Sequence, residues 1–116
     1  MKPVETERLV NVAVQVLPLT EDVIPLVDRA IAAIAASGLR YEVGPMETTI
    51  EGPFEKALEA AKAAHLACIE AGAPHVVTII KIADGVHGGL SIEEKTAKYR
   101  GGASGPAEGT GGKPAP

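Results

Sequence analysis

The chain has 116 residues, which allows one domain with an extension and excludes a large multidomain enzyme. Its formal net charge of -4 disfavours binding to nucleic acid, because phosphates attract basic surfaces. Hydrophobic residues make up 46 % of the chain, enough for a globular core, yet no apolar run approaches the roughly 18 residues of a membrane span.

The single cysteine, Cys68, excludes an internal disulfide and a thiolate cluster for zinc. The N-terminus begins MKPVE and lacks the apolar region of a secretory signal. These two features predict a cytoplasmic protein that binds neither membrane nor metal.

The first predicted element is a strand over residues 9–17, which Pro18 ends. Its valines, at positions 10, 12, 14 and 16, share one face, and the intervening residues share the other. Thr20 then offers an N-cap for a helix that Gly38 stops. The apolar stripe expected for this helix consists of Ile24, Val27, Ile31 and Ile34.

Two short β-prone segments, 39–43 and 46–51, follow and predict a hairpin with its turn at Gly44-Pro45. A second helix is expected to open with Pro53 at its first position and to close at Gly72. Residues 75–82 are β-branched and apolar on both faces, which predicts a strand covered on both sides. A last helix begins at Ser91, whose capping partner is Glu94.

This β-α-β-β-α-β order predicts a ferredoxin-like α+β sandwich with an additional C-terminal helix. We expect this domain to occupy residues 1–100. Residues 101–116 contain six Gly and three Pro and no large apolar side chain, which predicts a disordered tail.

The sheet face opposite the two main helices is expected to be bare in a monomer. The first strand would present Leu9, Ala13 and Leu17 there, and the last strand would add further apolar residues. An exposed apolar sheet commonly marks an interface, so the sequence predicts a homo-oligomer whose sheets face one another.

Three groups of residues are candidates for chemistry. His65 and Cys68 are three positions apart on one helical face and could form a metal site or a nucleophile–base pair, but their apolar stripe favours core packing. The glycine-rich segment 84–89 precedes a helix yet lacks the residues of a phosphate-binding loop, which favours a plain connection.

The third group is the set of hairpin carboxylates. By alternation, Glu47, Thr49 and Glu51 share one face of the predicted sheet. A carboxylate enclosed at an interface needs a cationic or hydrogen-bonding partner, which here could be Arg40, Lys81 or a ligand. The alternative is an edge hairpin whose charges are solvated.

Residues 41–52, read as YEVGPMETTIEG, resemble the signature hairpin of the small thiamine-binding proteins of the YkoF-like superfamily. Residues 27–31 and 88–100 are similar to the same group, so the likeness spans roughly residues 8–100. The resemblance implies a ferredoxin-like protomer, sheet-paired dimers that commonly assemble into tetramers, and non-catalytic binding of thiamine or its hydroxymethylpyrimidine moiety near subunit interfaces. It implies no cofactor.

The residue types around the hairpin are compatible with such a ligand. An aminopyrimidine needs acceptors and donors, which Glu51, Thr49 and Gln15 can supply. A thiazolium cation favours an acidic, aromatic-lined pocket, for which Tyr41 and Glu47 are candidates. The predicted binding residues are Gln15, Tyr41, Met46, Glu47, Thr48, Thr49 and Glu51.

The predicted function is therefore binding of thiamine or its pyrimidine moiety by a buffer, carrier or sensor. One alternative is an enzyme that acts on a thiamine precursor through His65 and Cys68 or through a hairpin carboxylate. Another is an oligomeric regulatory module without a small ligand, whose interfacial cavities its own side chains would fill.

Overall fold

The computed structural model describes residues 7–100, and the predicted tail at 101–116 lies outside them. The elements in chain order are β1 (Leu9–Pro18), α1 (Ile24–Ala36), β2 (Arg40–Val43), β3 (Thr48–Pro53), α2 (Phe54–Glu70), β4 (Val76–Ala83) and α3 (Ile92–Arg100). This succession is the predicted βαββαβ order followed by a terminal helix. It confirms the ferredoxin-like α+β fold.

The four strands form one antiparallel sheet in the order β2-β3-β1-β4. Along β1, Val10, Val12 and Val14 are buried beneath the helices, as their alternation predicts. The opposite side of the sheet is called the open face here. Its residues, from the register, are Leu9, Asn11, Ala13, Gln15 and Leu17 of β1, Thr49 and Glu51 of β3, and Val77, Ile79 and Lys81 of β4.

The core lies between β1 and the small side chains of α2. The buried residues of α2 are Ala57, Ala60, Ala61, Ala64 and Cys68. Because alanine projects only a methyl group, this helix can approach the valines of β1 closely. Complete burial of each valine stabilises the folded state by about 1.5 to 3 kcal/mol relative to an exposed side chain. Aliphatic contacts thus stabilise a core that has few aromatic rings.

The start of α1 differs from the prediction. Thr20 is not the N-cap, because the helix begins at Ile24 with Val23 at that position. A start after Thr20 would place Pro25 beyond the first turn, where its ring clashes with the preceding backbone, whereas the observed start keeps it within that turn. The buried face of α1 also differs from the predicted apolar stripe: Ile34 is buried as predicted, but Ile24 is 65 % exposed. The buried residues are Leu26, Ala30 and Ile34.

The other helix boundaries agree closely with the sequence. Gly38 follows α1 with a φ of 77°, and Gly72 follows α2 with a φ of 100°, both in the left-handed region that glycine favours. Pro53, predicted as the first residue of α2, is instead its N-cap with an extended backbone, so the helix begins one residue later, at Phe54.

β4 is not covered on both sides, contrary to the prediction. It pairs only with β1 and forms an edge of the sheet. The fraction of side chain exposed is 41 % for Val77 and 45 % for Ile79 on the open face, and 45 % for Ile82 on the helix face. Apolar residues on both faces of a strand are typical of central strands, but β4 is an edge strand, and Val76 is its residue that packs against the buried core.

The open face is only partly bare, because α3 lies on it. The helix starts with the predicted capping box: the Ser91 N–H donates to Glu94 Oε1 (2.8 Å), and the Glu94 N–H donates to Ser91 Oγ (3.1 Å). Ile92 is buried beneath it. The Ile92 N–H donates to Glu51 Oε1 (2.6 Å), and Lys95 Nζ donates to Asn11 Oδ1 (2.6 Å). The helix thus covers the Asn11 half of the face and leaves the Leu17 half exposed.

Candidate ligand-binding site

The β2–β3 hairpin positions Glu47 at one end of the sheet. The Gly44 N–H donates to the Glu47 carbonyl oxygen (2.9 Å) and closes the turn. A Cβ at Gly44 would lie 2.9 Å from that same oxygen, so the turn leaves no room for a side chain there. Thr48 then starts β3 opposite Val14, which places the turn beside the last residues of β1.

A pocket of about 530 Å³ opens between α1, the end of β1 and this hairpin turn, and it is called the α1–hairpin pocket here. Most of its wall is aliphatic. The lining residues are Val14, Gln15, Val16, Leu17, Pro18, Leu19, Val23, Val27, Ala30, Ile31, Ile34, Val43, Gly44, Pro45, Met46, Glu47, Thr48 and Ala64. Glu47 is the single charged residue in this set. The pocket therefore suits a flat apolar group that carries one positive or hydrogen-bonding function.

Four of the seven predicted binding residues meet in this pocket. They are Gln15, Met46, Glu47 and Thr48. Thr48 is 7 % exposed, so its hydroxyl is a buried polar group of the wall, whereas Met46 is 75 % exposed on the turn. The structure thus brings these four residues together in the lining of one pocket.

The other three predicted residues lie elsewhere. Tyr41 is half-buried and packs against the core on the helix face. Thr49 and Glu51 are on the open face, opposite Ala13 and Asn11 of β1, so the alternation that groups these two residues is confirmed. Glu47 lies just before β3 and outside this register. The Glu51 carboxylate nevertheless accepts the first N–H of α3, and this contact makes it a helix-anchoring group in the isolated chain.

A second pocket of about 330 Å³ lies between the open face and α3, and it is called the α3 pocket here. Its lining residues are Asn11, Ala13, Glu42, Glu47, Thr49, Lys81, Ile82, Ala83, Ile92, Lys95 and Thr96. Asn11 and Lys95 are not among the residues that the sequence predicts for the site. The polar Asn11 among the apolar residues of β1 was the available signal, but its partner depends on where α3 lies.

Three cations near the hairpin pair with three different carboxylates. Lys81 Nζ lies 3.1 Å from Glu47 Oε1, so one of the two candidate cations does pair with a hairpin carboxylate. Arg40 pairs instead with Glu93 of α3. A further ion pair joins Arg100 of α3 to Glu42 of β2.

His65 and Cys68 do not form a reactive pair. The His65 Nδ1 atom lies 2.6 Å from Thr78 Oγ1 on β4, while the Cys68 thiol donates to the Leu26 carbonyl oxygen at 3.6 Å. Burial raises the pKa of the Cys68 thiol, which disfavours the nucleophilic thiolate. Both residues thus serve the packing of α2, as the apolar stripe indicates.

The glycine-rich segment after β4 connects this strand to α3, and an ion pair holds its first residue, Asp84. Arg8 donates from Nε and Nη2 to the two carboxylate oxygens of Asp84 at 2.7 and 2.6 Å. The Gly88 N–H then donates to the Gly85 carbonyl oxygen, which makes a turn. These backbone contacts favour the plain connection over a phosphate-binding loop.

Residues 7–100 contain no cluster of three or more His, Cys, Asp and Glu side chains that could hold a metal ion. Within the same described range, no helix has both the length and the apolar character needed to cross a bilayer.

Comparison with solved structures supports the fold. A domain of unknown function from Bacillus cereus superposes with a TM-score of 0.76 at 44 % identity, covering 82 % of this chain and 93 % of that one. A Thermotoga maritima structure described as a candidate thiamine biosynthesis or salvage protein superposes with a TM-score of 0.71 at 38 % identity, covering 79 % and 99 %.

Comparison with known sequences identifies the family. A UPF0045 protein of Clostridium perfringens is 46 % identical over 92 residues, which are 78 % of this chain and 96 % of that protein. The profile of the thiamine-binding proteins matches residues 12–100, which include the hairpin, the whole lining of the α1–hairpin pocket and α3. The chain therefore belongs to the thiamine-binding protein family.

Proposed function

We propose that this protein binds thiamine or its hydroxymethylpyrimidine moiety without catalysing a reaction, as a buffer, carrier or sensor. Membership of the thiamine-binding family and likeness to the Thermotoga maritima structure support this role. The observation that carries the proposal is the α1–hairpin pocket, an aliphatic cavity whose lining includes one acidic residue, Glu47.

The pocket has a suitable size and chemistry for a two-ring heterocycle. Its volume of about 530 Å³ is within the usual range for small-molecule sites. Aliphatic walls favour burial of a flat ring, and Met46 can adapt its shape to one. Gln15 and Thr48 supply donors and acceptors for an aminopyrimidine, while Glu47 supplies a negative charge opposite a thiazolium.

The remaining predicted residues are proposed to act from the surroundings of this pocket. Tyr41 supports the hairpin from the helix face, where it packs against the core. Thr49 lies in the α3 pocket, and Glu51 holds the first turn of α3. Changes at these three positions should alter binding through the placement of the hairpin.

We further propose that two copies pair their open faces. The exposed half of that face carries Leu17, Val77 and Ile79, and an apolar surface of this kind favours association. Leu17 also lines the α1–hairpin pocket, so a second copy would sit beside the ligand and place the site at a subunit interface. Pairs of such dimers would give the tetramer that the family resemblance implies.

Isothermal titration calorimetry with thiamine and with hydroxymethylpyrimidine tests the proposal. The variant is Glu47→Gln, which removes the charge and preserves the shape. We expect about tenfold weaker binding of thiamine, because a hydrogen bond or ion pair to a charged group contributes roughly 1.5 kcal/mol or more. The control is Glu70→Gln at the exposed end of α2, which changes the net charge equally and should bind as the unmodified protein does.

Two results would contradict the proposal. Absence of both heat and a thermal shift with either compound at millimolar concentration would favour an oligomeric module without a small ligand. Turnover of a thiamine precursor by the purified protein would favour an enzyme instead.

A further inference from the structure

The Glu47 carboxylate already has a cationic partner within the chain. Lys81 Nζ lies 3.1 Å from Glu47 Oε1. Lys81 lines the α3 pocket but not the α1–hairpin pocket, whereas Glu47 lines both. The ion pair therefore connects the single charge of one pocket to an ammonium group outside it.

The strand register explains how these two side chains meet. Ala13 of β1 lies opposite Thr49 of β3 and opposite Lys81 of β4, so all three share the open face. Glu47 precedes Thr49 by two positions and reaches over β1 toward Lys81. Two interstrand spacings amount to about 10 Å, which two long side chains can bridge because Ala13 projects only a methyl group between them.

Under the proposed function, the Glu47 carboxylate is also the group that a cationic ligand in the α1–hairpin pocket faces. The lining of that pocket contains no Lys, Arg or His, so Glu47 is its one charged group. Two cations beside one carboxylate repel each other, and each weakens the attraction that the other experiences. A neutral heterocycle in the same pocket would not experience this repulsion.

We propose that Lys81 is a specificity-determining residue, whose ammonium group competes with a cationic ligand for Glu47 and thereby narrows the preference of the pocket for cations over neutral heterocycles. This rests on the proposed function of the α1–hairpin pocket. The Lys81 side chain is 67 % exposed, and the Glu47 side chain is 32 % exposed. Ion pairs with this much exposure have small interaction free energies. Removal of the ammonium should therefore strengthen cation binding about two- to fivefold.

The test compares Lys81→Met with Lys56→Met by titration calorimetry. Lys56 is exposed on α2 and lines neither pocket, so both variants lose one positive charge but only the first frees Glu47. The probes are thiamine, a fixed cation, and hydroxymethylpyrimidine, a neutral ring at pH 8. We expect Lys81→Met to bind thiamine about two- to fivefold more tightly and hydroxymethylpyrimidine unchanged, and the gain to shrink in 0.5 M NaCl.

The outcomes separate this inference from the proposed function. Equal effects of Lys81→Met and Lys56→Met on thiamine, or equal gains for both probes, would overturn the competition while binding itself stands. Failure of the unmodified protein to bind either probe would overturn both proposals together.

Discussion

At the scale of single residues, Asp84 is the carboxylate whose ionisation is most clearly coupled to the fold. Arg8 donates two hydrogen bonds to it and joins the start of β1 to the end of β4. The Arg8 hydrogen bond holds the pKa of Asp84 below its ordinary value of 3.8. Since folding lowers this pKa, the ionised form stabilises the native state above pH 3.8, and that contribution is lost as the pH falls through the lower native value.

Asp84→Asn should therefore lower the free energy of unfolding at pH 7, and the difference from the unmodified protein should shrink as the pH falls below 3.8. Urea unfolding followed by circular dichroism at several pH values measures the difference between the two proteins. Asp28→Asn on the exposed side of α1 is the matched control. A difference between the Asp84 variant and the unmodified protein that stayed constant from pH 7 to pH 2 would show that the ionised carboxylate does not act as described.

At the scale of secondary structure elements, α3 depends on one apolar contact and several polar ones. Ile92 is its buried residue. Around it, Lys95 contacts Asn11, Glu93 pairs with Arg40, and Arg100 pairs with Glu42. Exposed ion pairs contribute little individually, so burial of Ile92 should dominate the docking of this helix.

Ile92→Ala should weaken the docking of α3 on the sheet by roughly 2 kcal/mol, so that the helix separates from the sheet more often. Hydrogen exchange is expected to accelerate over residues 92–100 while β1 and β3 keep their protection. Glu93→Gln removes the Arg40 ion pair on the same helix and should change exchange only slightly. If the two variants behaved alike, electrostatic contacts rather than the buried isoleucine would hold the helix.

At the scale of the whole molecule, exposed apolar residues on the open face predict association. Ile79→Lys would place a charge in the centre of the proposed contact between copies, where desolvation without a partner is costly. Sedimentation equilibrium should show a multiple of 11.9 kDa for the unmodified protein and a shift toward the monomer for this variant.

Leu66→Lys is the control for this experiment, because Leu66 is exposed on α2, away from the open face. It should sediment as the unmodified protein does. A mass of 11.9 kDa for the unmodified protein in dilute solution would contradict the paired-sheet assembly.

Local chemistry made much of this fold predictable. Alternating valines identify the buried face of β1, Gly44-Pro45 marks the hairpin, and Ser91 with Glu94 marks the start of α3. The start of α1 was missed because Thr20 is a suitable N-cap by residue type, whereas the position of Pro25 decides the boundary.

Contacts between distant elements were harder to predict. Alternation groups Glu47 with Thr49 and Glu51, yet Thr49 and Glu51 lie away from the α1–hairpin pocket. The place of α3 on the open face decides which groups Glu51 and Asn11 contact, and no pattern within one element encodes it. The exposed state of β4 likewise follows from strand order rather than from its own residues.

The position of α3 also restricts how two sheets can approach. A helix adds about 10 Å of thickness above the half of the sheet that it covers, so flush stacking over the full surface is sterically blocked. In the proposed pair, the two subunits would therefore be offset toward the uncovered half, with each helix beside the other sheet. Because each helix would block part of the other sheet, the two subunits could pair in only one relative position. This steric restriction favours a closed dimer and disfavours the open-ended aggregation to which flat apolar sheets are prone.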